Sequence, residues 1–194
     1  MSDYLHSSAI VDWQDPRIMR KARELAVACT SENALVKRSF EFVRDAVREP
    51  APAAPLAVSA SDVLATGSGC SFAKTHLLVA LLRANRIPAG LCYQRLACRD
   101  DPGRFGLHGL AAARLSRHGW YRLDPSRGTD GLGAGEFCPP VERFARHALQ
   151  DGEGNLPEVW TEPLPIVIDA MRASNDSIEL GRRIPDIELV GAPR

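Results

Sequence analysis

Apolar residues recur at helical spacing in two segments near the start of the chain, between Asp15 and Glu49. The positions that keep this spacing are Ile18, Ala22, Leu25, Ala26 and Cys29, and then Leu35, Val36, Phe40, Val43 and Val47. A period of about 3.6 residues is typical of helices that bury one face. Pro16 suits a first helical turn, and the segment 30–33 offers a break with a capping residue. The pattern therefore predicts two amphipathic helices, and residues 61–64 predict a further short one.

Residues 71–84 show a different pattern, because apolar side chains cover most of the helix circumference. One face carries Ala73, Leu77, Ala80, Leu81 and Ala84, and the others carry Leu78, Val79 and Leu82. A helix that is apolar on nearly all sides is one enclosed by other elements. Asn85 and Pro88 mark its end. This segment predicts a buried helix.

Three later segments have the composition of strands, namely 91–96, 108–115 and 120–124. The alanines at 111–113 would favour a helix by intrinsic propensity, which opposes the strand prediction there. Farther on, the sequence predicts helices at 141–149 and 165–173.

The last two of these strands flank a turn at 116–119 and predict an antiparallel hairpin. If the turn is centred on Ser116, His108 lies directly opposite Asp124 on the same face, with the Cβ atoms about 5 Å apart. A turn centred on His118 would slide the strands and separate the two side chains. The proximity of His108 to Asp124 therefore depends on the register of the hairpin.

Length and charge narrow the class of protein. A chain of 194 residues suits a single domain, 1–194, with a real hydrophobic core. Lysine plus arginine equals aspartate plus glutamate at 24 each, so there is no basic surplus to favour a nucleic-acid partner. The longest strongly apolar run, 77–82, is too short to cross a membrane. Five cysteines without a CxxC pair, and a start unlike a secretory signal, indicate reduced thiols and a cytoplasmic protein.

Cys70 is the leading candidate for chemistry. It follows a glycine-rich loop, 66–69, and stands at the start of the buried helix. Unpaired N–H groups and the positive end of the helix dipole favour a thiolate, so we expect the pKa of Cys70 to be lowered. A thiol nucleophile needs a base and a group that orients this base, and His108 and Asp124 supply both residue types.

Several motifs around these three residues resemble the core of transglutaminase-like domains in the papain-like cysteine-peptidase superfamily. The resemblance covers 60–127 and rests on Asp62-Val63-Leu64, Gly69-Cys70, Lys74, Leu77-Leu78, Ala80-Leu81-Leu82-Arg83-Ala84, Ile87-Pro88-Ala89, His108 and Trp120-Tyr121-Arg122-Leu123-Asp124-Pro125. It implies an α+β fold in which the nucleophile's helix packs on an antiparallel β-sheet. An N-terminal helical part, about 14–49, would precede this catalytic core, and a C-terminal extension, 128–194, would follow it.

The resemblance also implies acyl transfer through a thioester. Cys70 would attack an amide or ester carbonyl, His108 would move the proton and Asp124 would orient the histidine. The backbone N–H of Cys70 would stabilise the oxyanion. Candidates for substrate binding are Gly69, Gln94 and Trp120, although Trp120 also suits strand packing.

Three functions remain open from the sequence. Hydrolysis of a peptide or amide bond needs only water as acceptor, whereas an acyltransferase or a protein cross-linking enzyme needs an amine site. A catalytically inactive module could use the same cleft to bind a peptide or protein. No cofactor or metal is expected, because Cys92, Cys98 and Cys138 match no usual zinc-ligand spacing. The expected partner is a peptide or protein substrate, and the sequence does not indicate an oligomeric state.

Overall fold

The computed structural model describes residues 1–98, 101, 103–128, 133–147 and 150–188. After a short 3-10 helix, Ser2–Leu5, come four α-helices that lie before the first strand: α1 Pro16–Ala26, α2 Glu32–Ala46, α3 Ala60–Thr66 and α4 Ser71–Ala84. Side chains of Asp15, Ser31 and Ser59 cap the first three by accepting N–H groups of their first turns. The helices predicted from the apolar spacing are therefore confirmed.

The helix α4 lies at the centre of the fold. Every residue from Phe72 to Arg83 is buried, with α1, α2 and α3 on one side and the sheet on the other. This enclosure explains why apolar residues cover its whole circumference rather than one stripe. The predicted buried helix and its end at Asn85 are confirmed.

The main sheet is antiparallel, with the strand order β3-β2-β1-β6. Its strands are β1 Ala89–Ala97, β2 Phe105–Leu115, β3 Gly119–Leu123 and β6 Gly154–Asn155, and a separate hairpin is formed by β4 Glu136–Cys138 and β5 Val141–Arg143. One face of the sheet packs on α4. The predicted α+β fold, in which the helix that follows Cys70 packs on an antiparallel sheet after N-terminal helices, is confirmed.

Residues 111–113 lie within β2, although alanine favours helices. Each of them pairs with β1 and β3 at the same time, so that the segment is the middle of the sheet. Their small side chains are fully buried, on both faces. Pairing with both neighbouring strands therefore outweighs the intrinsic preference of alanine for helix, which amounts to roughly 0.5 kcal/mol per residue.

The helix predicted at 141–149 is wrong over its described part, 141–147. Val141–Arg143 forms β5, and the residues that follow it have no regular structure. The carboxylate of Glu142 accepts hydrogen bonds from the backbone and the guanidinium of Arg122, which ties β5 to β3. These long-range bonds hold the segment extended despite its helical spacing.

The last helices are α5 Pro165–Arg172, predicted correctly, and α6 Ser177–Arg183.

Arg83 is a fully buried charge that joins distant parts of the chain. Its Nε, Nη1 and Nη2 donate to three carbonyl oxygens at 3.0, 2.9 and 2.6 Å, which belong to Ala89, His6 and Thr161. Burial lowers the pKa of Arg83 to about 10, so the guanidinium stays charged at neutral pH. This arginine therefore links the N-terminal segment, β1 and the C-terminal segment.

Among the residues that the structure describes, no helix is long and apolar enough to span a bilayer.

Candidate active site

The loop before α4 is fixed by backbone contacts. Gly67 ends α3 in the left-handed conformation, with φ at 61°, and Gly69 donates its N–H to the carbonyl of Arg48 at 3.0 Å. A Cβ on Gly69 would lie 3.0 Å from the Cβ of Ala73. Gly69 therefore contributes close packing at the start of α4.

Cys70 occupies the N-cap position of α4, and its side chain makes no capping hydrogen bond. It has extended backbone angles, and its sulfur lies near the first-turn N–H groups of Ala73 and Phe72. Burial raises the pKa of the Cys70 thiol, and the nearby carboxylate of Glu49 raises it further, against the lowering effect of these N–H groups. The prediction of a lowered pKa is therefore wrong in direction, because desolvation outweighs the helix terminus.

His108 and Asp124 are in direct contact. The Nε2 atom of His108 lies 3.2 Å from Oδ1 of Asp124. The imidazole is 19% exposed, whereas the carboxylate is fully buried. Because the carboxylate accepts, Nε2 carries the proton and Nδ1 keeps its lone pair free. The pair thus has the arrangement of a general base held by an acid.

The hairpin reaches this contact by a register that lies between the two possibilities, with turns centred on Ser116 and on His118, that the sequence left open. Leu115 pairs with Gly119, which centres the turn on Arg117 rather than on Ser116. Asp124 is one residue beyond β3, whose last pair is Leu123 with Ala111. The condition for direct opposition of His108 and Asp124, a turn centred on Ser116, is therefore not met. They meet diagonally, which two side chains on one face can do when offset by two positions.

Backbone N–H groups hold both oxygens of Asp124. Oδ1 accepts from the backbone of Ser126 at 3.0 Å, and Oδ2 accepts from the backbone of Ala145 at 3.0 Å. Burial acts to raise the pKa of Asp124, but the charge and hydrogen bond of His108 and the contacts with Ser126 outweigh it, so that this pKa lies below its ordinary value. Asp124 is therefore ionised at neutral pH and fixed in orientation.

The start of α4 meets β2 at Gly109, the residue that follows His108. A Cβ on Gly109 would lie 3.1 Å from the Cα of Phe72 and 3.2 Å from its backbone nitrogen. The backbone N–H of Gly109 points to the Oγ of Ser71, 3.5 Å away. A side chain at this position would require its neighbours to shift by a few tenths of an ångström, so glycine favours the close approach of the helix terminus to the strand that carries the histidine.

Gln94 and Trp120 were the other candidates for substrate binding. Gln94 is buried and pairs with His108 across β1 and β2, and its Nε2 donates weakly to the carbonyl of Arg146 at 3.4 Å. Trp120 is half-buried, with its ring centroid 4.7 Å from that of Tyr4. The described contacts of Trp120 are those of a packing residue, while Gln94 lies beside the histidine under the segment 144–146.

Sequence reasoning missed three contributors to this site, namely Ser71, Gly109 and the segment 144–146. The small residue directly after His108 was a signal for close helix packing. Nothing in the sequence indicates that Ala145 acts through its backbone, because any residue other than proline offers the same N–H. The described residues contain no group of three or more potential metal ligands, and all five cysteines are free.

His76 lies on α4 but is buried away from this chemistry. Its Nδ1 lies 2.8 Å from the carbonyl oxygen of Val58, and burial lowers its pKa to about 4. The unfolded chain therefore takes up a proton near the ordinary pKa of 6.5, whereas the folded chain resists it. The stability that depends on neutral His76 is complete above pH 6.5, the ordinary pKa. It is lost as the pH falls toward about 4, the pKa in the folded chain.

We expect the free energy of unfolding to fall by roughly 3 kcal/mol through this window because of His76. The variant His76→Asn keeps a donor for Val58 and cannot titrate. Its free energy of unfolding should therefore fall less steeply as the pH is lowered. Urea denaturation at several pH values measures the slope, with the exposed His118→Asn as the control. Equal slopes in His76→Asn and the wild type would contradict the assignment.

Comparison with known proteins gives three findings. The model of the transglutaminase-like superfamily matches residues 20–125, more than half of the 194 residues. A candidate cysteine protease from Cytophaga hutchinsonii aligns at 21% identity and a TM-score of 0.52, over 64% of this chain and 41% of that one. The periplasmic domain of TgpA from Pseudomonas aeruginosa aligns at 22% identity and a TM-score of 0.48, over 63% and 45%.

The aligned region thus spans less than half the length of these solved chains. No curated protein sequence gives a significant match. At these identities, the structural likeness concerns the fold.

Proposed function

Because the chain belongs to the transglutaminase-like superfamily, we propose that it is an acyl-transfer enzyme that hydrolyses amide bonds in a peptide or protein substrate. The observation that carries this proposal is the contact between His108 and buried Asp124, beside the N-terminus of α4. A base with a fixed tautomer next to a helix terminus serves a nucleophile that attacks a carbonyl.

In the reaction mechanism that the sequence predicts, Cys70 is the nucleophile. Its sulfur attacks the carbonyl carbon, Nδ1 of His108 takes the thiol proton, and this proton passes to the leaving nitrogen as the C–N bond breaks. Water then attacks the thioester with help from His108, which releases the carboxylic acid and restores the thiol. Asp124 orients the imidazole and stabilises its charged form, and N–H groups at the start of α4, including that of Cys70, stabilise the oxyanion.

Hydrolysis needs only water as the acceptor, and for this reason we favour it over transfer to an amine or protein cross-linking. Product analysis by mass spectrometry, with and without an added primary amine, separates the two. We also propose a cytoplasmic location, where five unpaired thiols would stay reduced.

A second candidate function is a catalytically silent module that binds a peptide in the same cleft. The raised pKa of Cys70 favours it, because a neutral thiol is a poor nucleophile. This candidate predicts peptide binding without turnover, and similar slow alkylation of Cys70 in the wild type and in His108→Ala.

The variant Asp124→Asn tests the enzymatic proposal. Both carboxylate oxygens accept N–H groups, so either orientation of the amide places its NH2 against a donor. The imidazole should then lose its orientation, and kcat/KM should fall by about 10³-fold. Hydrolysis of a peptide library and of para-nitrophenyl acetate measures this change, with the exposed Asp151→Asn as the control. Equal rates in Asp124→Asn and the wild type would refute the role of the pair.

A further inference from the structure

The segment 144–146 lies on the face of the sheet that carries the proposed base. Phe144 packs on this face in a cluster with Cys92, Leu110 and Ala112. His108 precedes Leu110 by two positions in β2, and side chains two positions apart along a strand point to the same face. The segment and the imidazole are therefore on the same side of the sheet.

This segment is bound on both sides of His108. The backbone N–H of Ala145 donates to Oδ2 of Asp124 at 3.0 Å, one residue beyond the end of β3. The carbonyl oxygen of Arg146 accepts from Nε2 of Gln94 at 3.4 Å, and Gln94 pairs directly with His108 across β1 and β2. Because β2 lies between β3 and β1, the backbone between these two bonds crosses the strand that carries the histidine.

The side chain of Arg146 ties the segment to the end of β1. Its Nη2 donates to the carbonyl oxygen of Ala97 and to Oε1 of Glu153, at 3.3 Å each. Only 2% of the Glu153 side chain is exposed, and Oε1 also accepts the backbone N–H of Ala97 at 2.8 Å. The segment is therefore anchored at β1 by a partly buried ion pair, in addition to the long contact with Gln94.

We propose that Arg146 is a positioning residue of the site, which holds the backbone N–H of Ala145 on Asp124 and through this acid orients the base. The inference rests on the proposed function. The contacts of the Arg146 guanidinium fix the path of the segment, and this path determines where the N–H of Ala145 points. That N–H is the hydrogen bond described for Oδ2 of the carboxylate, whereas Oδ1 is shared by His108 and Ser126. Without it the carboxylate can turn, and the imidazole that it orients turns with it.

Replacement of Arg146 by methionine tests this role, because methionine fills similar space without the ion pair. We expect kcat/KM for para-nitrophenyl acetate to fall by about tenfold, mostly through kcat, since the change affects the orientation of the base rather than binding. Arg146→Lys keeps the charge but not the planar donor group, and it should lose less, about threefold. The matched control is Arg143→Met, whose ion pair with Glu136 is exposed on the β4–β5 hairpin. It should leave kcat/KM unchanged within about twofold.

A double-mutant cycle with Asp124→Asn shows whether Arg146 acts through the acid. Substitutions that act through the same group are not additive, whereas independent ones are. In the Asp124→Asn background, Arg146→Met should therefore lower kcat/KM by less than about twofold, as measured at high protein concentration. The same tenfold loss in both backgrounds would overturn the inference, because Arg146 would then act by another route. Circular dichroism and the melting temperature report whether each variant is folded.

Amide hydrogen exchange, followed by NMR, gives a readout that needs no turnover. The amide of Ala145 should exchange at least about tenfold faster in Arg146→Met than in the wild type, and at the wild-type rate in Arg143→Met. The inference alone fails if folded Arg146→Met keeps either the wild-type exchange at Ala145 or the wild-type kcat/KM. If the wild type turns over neither para-nitrophenyl acetate nor any peptide, the proposed function fails, and exchange at Ala145 still decides whether Arg146 holds the segment.

Discussion

Replacement of His108 by alanine is expected to lower kcat/KM for para-nitrophenyl acetate and for peptide substrates by about 10³-fold or more. The imidazole is the described side chain that contacts buried Asp124 and offers a free ring nitrogen as a base. Without it, the proposed nucleophile at the start of α4, the thiol of Cys70, would keep its proton. Initial rates at saturating and limiting substrate measure the loss.

The matched control is His118→Ala, since His118 is exposed in the turn between β2 and β3. It should leave the rate unchanged within about twofold. Removal of His108 also takes one hydrogen bond from a buried carboxylate that keeps those of Ser126 and Ala145, so the melting temperature must be recorded for each variant. A folded His108→Ala protein with the wild-type rate would show that acyl transfer does not depend on this base.

Arg83→Met is expected to lower the free energy of unfolding by about 4 kcal/mol. Methionine fills much of the same space but leaves the carbonyl oxygens of Ala89, His6 and Thr161 without the donors they now have. Because the guanidinium is fully buried, water cannot replace these hydrogen bonds without opening the structure. Chemical denaturation measures the change.

The control is Arg172→Met, at the exposed end of α5, which should change the free energy of unfolding by less than about 0.5 kcal/mol. Arg83 joins the segments at both ends of the chain, so its loss should also increase proteolysis near His6 and Thr161. If Arg83→Met unfolds at the same denaturant concentration as the wild type, the three hydrogen bonds contribute little to stability.

The sequence predicted those parts of the fold that depend on local spacing. The circumference of α4 and the two faces of α1 and α2 are encoded within single segments, and the sheet strands near 91–96, 108–115 and 120–124 were also recognisable. The helix predicted at 141–149 is wrong over 141–147, because the hydrogen bonds between Glu142 and Arg122 are long-range and leave no periodic pattern in the sequence.

The candidate site was predictable to a smaller extent. Residue types at matching positions indicated His108 and Asp124, but their diagonal contact depends on a turn centred on Arg117, a shift of one residue that the sequence does not reveal. The pKa of Cys70 was expected to fall because a helix terminus is visible in a sequence. The burial that raises it is a property of the assembled fold. The contact of Ser71 with Gly109 likewise exists only after α4 has packed on β2.

The hydrogen bond from the backbone of Ala145 to Asp124 affects which amino-acid substitutions the site can accept. The main chain supplies the hydrogen bond, so nearly every amino acid at this position would preserve it, and proline alone would remove it. Substitutions can therefore accumulate along this stretch without disturbing the acid, provided that the path of the backbone is kept. Related proteins could share this support while showing no common residue there.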